Sequence, residues 1–130
     1  MPATSPTLTL SRIGQVLIPV TDLARATAFY RDTLGMRFLF DVPQRMAFFD
    51  CGGVRLLLGM PEPNAEPVGA GMLYYTVDDI QAASQALVER GVTVINGPQL
   101  IARMSDHDLW LAEYRDSEGN PFALMSEVHR

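Results

Sequence analysis

His107 lies between two aspartates, Asp106 and Asp108, and this triplet is the part of the chain best suited to proton transfer. An imidazole titrates near neutral pH and neighbouring carboxylates favour its charged form, so His107 is a candidate general acid or base. The alternative is a loop histidine that forms ordinary turn hydrogen bonds. The second histidine, His129, stands beside Arg130 and is predicted to be disordered.

A second candidate for acid–base chemistry is Glu113, within the apolar segment Leu-Trp-Leu-Ala-Glu-Tyr of residues 109–114. In a central strand, burial would raise the pKa of this carboxyl group and make Glu113 a candidate base. The alternative is a carboxylate at the rim of a cavity that pairs with Arg45 or Arg55, because an unpartnered buried charge is costly.

Two aromatic residues are candidates for contact with a planar ligand. Tyr74 can stack on a ring or donate a hydrogen bond from its hydroxyl group. Trp110, the only tryptophan, fits either a cavity wall or an ordinary core. Phe29 and Tyr30 follow the apolar stripe of a helix and are predicted to belong to the core. Cys51 has no histidine near it in the sequence and is interpreted as structural.

The hydrophobic pattern predicts the strands and helices that must position these residues, in the order βαβββ and then again from residue 73. The first strand is followed by Thr21-Asp22, whose oxygens can cap a helix that ends at Gly35. In the second half Asp78-Asp79 precedes a helix that ends at Gly91. No element is assigned to residues 97–108, and long loops of compact domains are often functional. The predicted strands are 13–20, 37–41, 46–50, 54–59, 73–77, 92–95, 109–115 and 122–126.

The two halves of the chain align as an internal repeat. Val20-Thr21-Asp22-Leu23 matches Val77-Asp78-Asp79-Ile80 at an offset of 57 residues, and the glycines that end the two helices are one residue out of step. Residues 50–58 match residues 116–124 at an offset of 66. Caps, helix ends and hairpins in the same order predict a duplicated βαβββ module.

With these segments the chain resembles the vicinal oxygen chelate superfamily, which includes glyoxalases, bleomycin-resistance proteins, fosfomycin-resistance enzymes and extradiol dioxygenases. The resemblance covers nearly all of residues 13–127. It implies an α+β fold in which two tandem modules form a curled mixed sheet around a central cavity, with the helices outside, and often a homodimer. The segments that carry it are Val20-Thr21-Asp22-Leu23, Ala28 to Met36, Val77-Asp78-Asp79-Ile80 and Arg115 to Pro121.

The resemblance also implies where a catalytic metal would bind, because such members take His, Gln or Glu ligands from cavity-facing positions on the first and last strands of each module. Side-chain alternation and the repeat place Gln15, Leu57, Met72 and Ala123 at these four positions, termed here the ligand slots. Leu57 and Ala123 have no donor atom, and Met72 has only a soft thioether. No metal cofactor is therefore predicted, and a divalent ion bound partly by Gln15 is the alternative.

Length, charge and cysteine content limit the domain organisation and the partners. The 130 residues are predicted to form one domain, with a module at about 11–60, a linker at about 61–70 and a second module at about 71–127. The net charge of −5 disfavours nucleic acid and anionic membranes, and no apolar run reaches the roughly 20 residues that span a bilayer. A single cysteine and the lack of a signal-peptide pattern favour a cytoplasmic protein.

These observations predict a protein that binds a small, partly aromatic molecule in a cavity without the family's usual metal, in the way that bleomycin-resistance members sequester their ligands. Its expected partners are this ligand and a second copy of the chain. A glyoxalase-like lyase or isomerase is the alternative, while a dioxygenase is disfavoured because the slots lack two histidines and a carboxylate. The predicted cavity residues are Gln15, Leu57, Met72, Tyr74, Trp110 and Ala123. The residues available to the alternative enzyme are Gln15, Tyr74, His107 and Glu113.

Overall fold

The computed structural model describes residues 8–61, 69 and 71–130, so most of the predicted linker lies outside the described residues. A π-helical turn, Phe29–Thr33, continues the first helix. Neither helix of the described chain has the length and hydrophobicity that a membrane-spanning helix needs. The elements are β1 (Gln15–Pro19), α1 (Leu23–Ala28), β2 (Arg37–Val42), β3 (Met46–Cys51), β4 (Val54–Gly59), β5 (Leu73–Thr76), α2 (Ile80–Glu89), β6 (Thr93–Arg103), β7 (His107–Arg115) and β8 (Pro121–His129).

The eight strands form two mixed four-stranded sheets with the same topology, β1-β4-β3-β2 and β5-β8-β7-β6. In each sheet the first and last strands of the module pair in parallel, with Leu17 opposite Leu57 and Tyr74 opposite Ala123. The other pairings are antiparallel. The predicted α+β class and the duplicated βαβββ order are therefore confirmed, and the two sheets do not close into a barrel.

Both helices begin and end where the sequence predicts. The side chains of Asp22 and Asp79 each accept a hydrogen bond from the backbone amide three residues later, at 3.1 Å. Such a cap satisfies one of the amides that a helix start leaves without a partner. Gly35 and Gly91 have φ angles of 71° and 79°, in the left-handed region that only glycine adopts without strain.

Two apolar clusters form the core, one between α1 and the first sheet and the other between α2 and the second sheet. The first surrounds Tyr30 and Phe49, and the second surrounds Tyr114 and Phe122. The ring of Phe29 contacts that of Phe122 edge-on, with centroids 6.5 Å apart, so the clusters meet between the modules. Tyr30 is a core residue, as predicted. The opposite side of each sheet, away from the helices, is termed here the open face.

Residues 97–108, which the sequence pattern leaves without an element, lie mainly in two strands of a hairpin. β6 runs to Arg103 and β7 begins at His107. Three shifts of register interrupt the pairing of β6 with β7 between Val94 and Ala102. Bulges of this kind destroy the alternation by which a strand is recognised. The predicted disorder of His129 is also wrong, because β8 extends to this residue.

Candidate functional site

Hydrogen bonds between the two modules fix the orientation of the two open faces relative to each other. The turn before β8 contacts the start of the first module: the side-chain amide of Asn120 donates to the carbonyl of Pro19 at 3.2 Å. The carboxylate of Glu118 accepts from the amide and the hydroxyl of Thr21, at 2.6 and 2.9 Å. The cavity that remains between β1 and β5 is only about 30 Å³, about enough for one water molecule.

The open face of the second sheet presents Tyr74 and Glu113 in one row across three strands. Tyr74 on β5 lies opposite Ala123 on β8, and Ala123 lies opposite Glu113 on β7. Neighbouring strands are about 4.8 Å apart, so the backbones of Tyr74 and Glu113 are separated by roughly 10 Å. Half of the Tyr74 side chain is exposed, whereas the methyl group of Ala123 is fully buried. A ligand on this row therefore meets a phenol ring and a carboxylate.

The side-chain carboxylate of Glu113 forms no hydrogen bond or ion pair with any other residue in the described part of the chain. The predicted pairing with Arg45 or Arg55 is not formed. The guanidinium carbon of Arg55 lies instead 5.7 Å from the centroid of the Phe48 ring, a cation–π contact. The half-buried carboxylate of Glu113 is consequently available to a ligand.

The open face of the first sheet is apolar over the matching row. Leu17, Leu57, Phe48 and Phe40 face one another in register across its four strands. The rings of Phe40 and Phe48 stack with centroids 4.4 Å apart. Leu17 and Phe40 are 41% and 48% exposed, so this face offers apolar surface beside the polar row of the second sheet.

The ligand slots do not combine into a metal site of the family's kind. Gln15 is exposed on β1 and lies opposite Arg55, not opposite Leu57. Met72 directly precedes β5, and Ala123 is fully buried. One amide oxygen and one thioether do not provide the three oxygen or imidazole donors that a catalytic zinc or iron ion requires. The residues at the slots therefore do not fit the metal that the fold family implies.

Trp110 belongs to the core and not to the wall of the open face. It alternates in phase with Ala112 and Tyr114 along β7 and packs against the core cluster under α2. The hydroxyl of Tyr114 donates to the Ser84 hydroxyl of α2 at 2.6 Å, which identifies this side of the strand as the helix side. Tyr74 faces the other way, so Trp110 and Tyr74 lie on opposite sides of the second sheet.

His107 lies at the start of β7, far from the other candidate acid–base residues. It is six residues from Glu113 on the same strand, a distance of roughly 20 Å. Its Nδ1 atom is 2.7 Å from a carboxylate oxygen of Asp106, and this hydrogen bond holds the pKa of Asp106 below its ordinary value. Directly opposite on β8 is His129, a pairing that the sequence pattern did not indicate.

A groove of about 450 Å³ lies between the modules on the helix side of the sheets. The hydroxyl of Tyr75 is buried there without a hydrogen-bond partner among the described residues, and burial raises its pKa. Burial and then the charge of Asp50 raise the pKa of the Cys51 thiol, which also borders the groove. Sequence reasoning missed this groove because its walls come from distant segments. Its apolar walls include Leu34, Met36, Val77, Ala83, Leu87 and Phe122.

Paired βαβββ modules, each with a parallel strand pair and one covering helix, define a known class of proteins. Residues 12–124 match the family model of the Glyoxalase/Bleomycin resistance protein/Dioxygenase superfamily. The chain belongs to this superfamily, as the resemblance in its sequence implies.

Individual relatives agree with this assignment. A glyoxylase-like domain-containing protein from Didymella fabae is 29% identical over 131 residues, covering 88% of this chain and 93% of that protein. The crystal structure of lactoylglutathione lyase from Agrobacterium tumefaciens superposes with a TM-score of 0.76 at 24% identity, over 91% of this chain and 95% of that one. A superfamily member from Sphaerobacter thermophilus gives a TM-score of 0.73 at 27% identity, over 92% and 100% of the two chains.

Proposed function

We propose that this protein binds a small, partly aromatic molecule on its open face, at Tyr74 and Glu113, without the usual metal of its superfamily. The observation that carries the proposal is the row in which the half-exposed Tyr74 and the unpartnered Glu113 flank the small Ala123. A phenol ring offers a planar group a stacking surface, and an unpaired carboxylate accepts hydrogen bonds.

The charge of this row favours a ligand that carries an amino group. Glu113 supplies a negative charge in a chain whose net charge is −5. An N–H donor on the ligand would restore the hydrogen bond that this carboxylate lacks, and bonds to charged groups are stronger than neutral ones. The exposed Leu17 and Phe40 on the first sheet provide apolar surface for the rest of the molecule. A planar aromatic amine is therefore the ligand class that fits best.

The metal-free part of the proposal depends on the chemistry of the slots. Gln15 is the only slot residue with an oxygen donor, and Leu57, Met72 and Ala123 supply no other oxygen or imidazole. The side chains at the four slots thus suit contact with an organic ligand better than coordination of zinc, nickel or iron.

A lyase or isomerase is the second candidate, and it is restricted by geometry to Tyr74 and Glu113. His107 lies roughly 20 Å from Glu113 along β7, and Gln15 is on the other sheet. In such an enzyme Glu113 would remove a proton from a substrate bound against Tyr74. Loss of a measured turnover in Glu113→Gln with unchanged substrate affinity would favour this candidate over simple binding.

A fluorescence titration with the planar cationic dye proflavine tests the binding proposal. Tyr74→Ala should raise the Kd about tenfold, since an aromatic pair contributes up to about 1.5 kcal/mol beyond its buried area. The control is Tyr75→Phe, which removes the orphaned hydroxyl group from the groove on the other side of the same strand and should leave the Kd unchanged. The opposite ranking of the two variants would place the dye in the groove and contradict the proposal.

The contribution of Glu113 is tested with dyes of opposite charge. Glu113→Gln should weaken proflavine binding about tenfold and should not weaken binding of the anionic dye fluorescein, because the carboxylate attracts only the cation. Equal effects on both dyes would show that Glu113 acts through the shape of the site and not through its charge.

We also propose that the protein is a homodimer in the cytoplasm. The outer strand β2 exposes Leu39 and Val42, each by more than a third, and exposed apolar residues often form interfaces. The only cysteine, Cys51, is unpaired, in keeping with a reducing compartment. Sedimentation at micromolar concentration should give a species of twice the 14.3 kDa chain mass, and a pure monomer would remove the dimer.

A further inference from the structure

The two histidines of the chain form a cross-strand pair at the open end of the hairpin formed by β7 and β8. His107 lies directly opposite His129, and the ring centroids are 5.4 Å apart. The amide of Arg130 donates to the carbonyl of Asp106 at 3.0 Å, so the pair lies inside a hydrogen-bonded ring and is itself of the non-hydrogen-bonded type. In pairs of this type the side chains are closest.

A carboxylate on each side of His107 completes the cluster. Nδ1 is 2.7 Å from an oxygen of Asp106, and Nε2 is 4.0 Å from an oxygen of Glu127. An ion bound between Nδ1 and the Asp106 carboxylate would leave the Nε2 proton directed towards Glu127. A carboxylate behind the ring is the usual arrangement for histidines that bind metal, because it orients the ring and raises its basicity.

The distances are close to those of an occupied site. Ligand atoms of Asp106, His107 and His129 all lie within 4.8 Å of one another. Two ligand atoms of a tetrahedral zinc site are separated by about 3.3 Å, given bonds of about 2.0 Å. Small rotations of these side chains would therefore bring two imidazoles and a carboxylate onto one ion.

The neighbouring positive charges are directed to another carboxylate. The guanidinium of Arg130 donates to Asp108, and that of Arg103 lies 3.8 Å from the same side chain. Because side chains alternate along a strand, Asp108 points to the side of β7 opposite His107. The described titratable groups that face the histidine pair are thus Asp106 and Glu127, both of which favour a bound cation.

We propose that Asp106, His107 and His129 bind a divalent transition-metal ion, with Glu127 orienting His107 from the Nε2 side. Imidazole and carboxylate ligands suit zinc, nickel, cobalt and copper. The site is distinct from the ligand slots, because His129 lies six residues, or roughly 20 Å, beyond Ala123 on β8. It does not depend on the occupant of Tyr74 and Glu113, so either proposal can fail while the other stands.

Titration of the tag-free protein with Co²⁺ tests the site, since tetrahedral Co²⁺ has visible absorption bands that report on its ligands. We expect one ion per chain, and at least a hundredfold weaker binding in His107→Gln and in His129→Gln. Asp106→Asn should have a similar effect, whereas Glu127→Gln should weaken binding by about 10- to 100-fold, as changes to groups behind a ligand do. The matched control is Glu89→Gln on the exposed side of α2, which should bind Co²⁺ like the unaltered chain.

Unfolding curves without metal separate coordination from folding. Each variant should retain its metal-free stability, while added Zn²⁺ should raise the Tm of the unaltered protein and of the Glu89→Gln control, but not that of the two histidine variants. The proposal is overturned if both histidine variants bind Co²⁺ as tightly as the unaltered chain, or if the chain takes up several weak ions without saturation. A greater loss in Glu127→Gln than in Asp106→Asn would overturn the assignment of Asp106 as the third ligand.

Discussion

The hydroxyl group of Tyr30 donates a hydrogen bond to the carboxylate of Asp116, 2.7 Å away in the buried junction between the two modules. The other oxygen of Asp116 accepts from the amides of Glu118 and Asn120, both at 2.8 Å. One carboxylate thus fixes a local turn and, through Tyr30, the first helical segment of the other module. This bond is a main reason why the two open faces keep one relative position.

Removal of the Tyr30 hydroxyl should destabilise the protein more than removal of a comparable hydroxyl inside one module. Tyr30→Phe leaves a buried carboxylate with one bond fewer, and we expect a loss of about 1.5 to 3 kcal/mol in the free energy of unfolding. Tyr114→Phe is the matched control, because its bond to Ser84 is neutral and is expected to contribute about 0.5 to 1.5 kcal/mol. Urea denaturation measures both, and equal losses would contradict a special role for Asp116.

Stability should decrease at alkaline pH through the buried phenols. Burial and then the charge of Asp116 raise the pKa of Tyr30, and burial raises that of Tyr75. Above pH of about 10 the unfolded chain releases these protons and the folded chain keeps them, so the stabilisation present below that pH is lost as the pH rises. Because all ten basic residues are arginines, no lysine obscures the effect. Between pH 8 and 11 the urea concentration at the midpoint of unfolding should fall less steeply in Tyr30→Phe than in the unaltered protein. Identical slopes would refute the contribution of Tyr30 to the loss of stability.

The thiol of Cys51 should react slowly with alkylating reagents. Burial, followed by the charge of Asp50, raises its pKa above the ordinary value, so less thiolate is present at pH 8 than in an exposed cysteine. Iodoacetamide should therefore modify the folded protein more slowly than the urea-unfolded chain, with a rate that increases up to pH 10. Faster modification of the folded protein would indicate an activated thiol and end the structural interpretation.

Replacement of Trp110 should affect stability and leave ligand binding unchanged. The indole packs in the core under α2, on the opposite side of the sheet from Tyr74. Trp110→Phe is expected to cost roughly 1 to 2 kcal/mol in unfolding free energy, as imperfect core substitutions do, with the same Kd for proflavine. A higher Kd for proflavine in Trp110→Phe than in Tyr75→Phe would indicate that Trp110 contributes to the binding site.

Much of the fold could be predicted from the sequence because its signals are local. Asp22 and Asp79 cap the two helices, and Gly35 and Gly91 end them, through contacts within a few residues. Repetition of these signals in the same order predicted the duplicated module. Alternation along β5 likewise predicted that Tyr74 points away from the helices, and it is half-exposed there.

Features that depend on contacts between distant segments were not predictable in this way. The bulges of β6 broke its alternation, so residues 97–108 resembled a loop. Alternation places Trp110 and Glu113 on opposite faces of a strand, but it could not tell which of the two faces packs against a helix. The groove near Tyr75 has no sequence signal at all, because its walls meet only when residues 33–37, the end of β3 and α2 pack together.

The sequence by itself determined the class of fold, the family and the lack of donors at the ligand slots, because caps, glycines and side-chain types are properties of single positions. The tertiary structure decided which chemical groups meet. It separated His107 from Glu113 by the length of a strand, placed Trp110 in the core and brought His129 opposite His107. The physical reason is register: strand pairing joins residues that are far apart in the chain, and no local pattern specifies which partner each one receives.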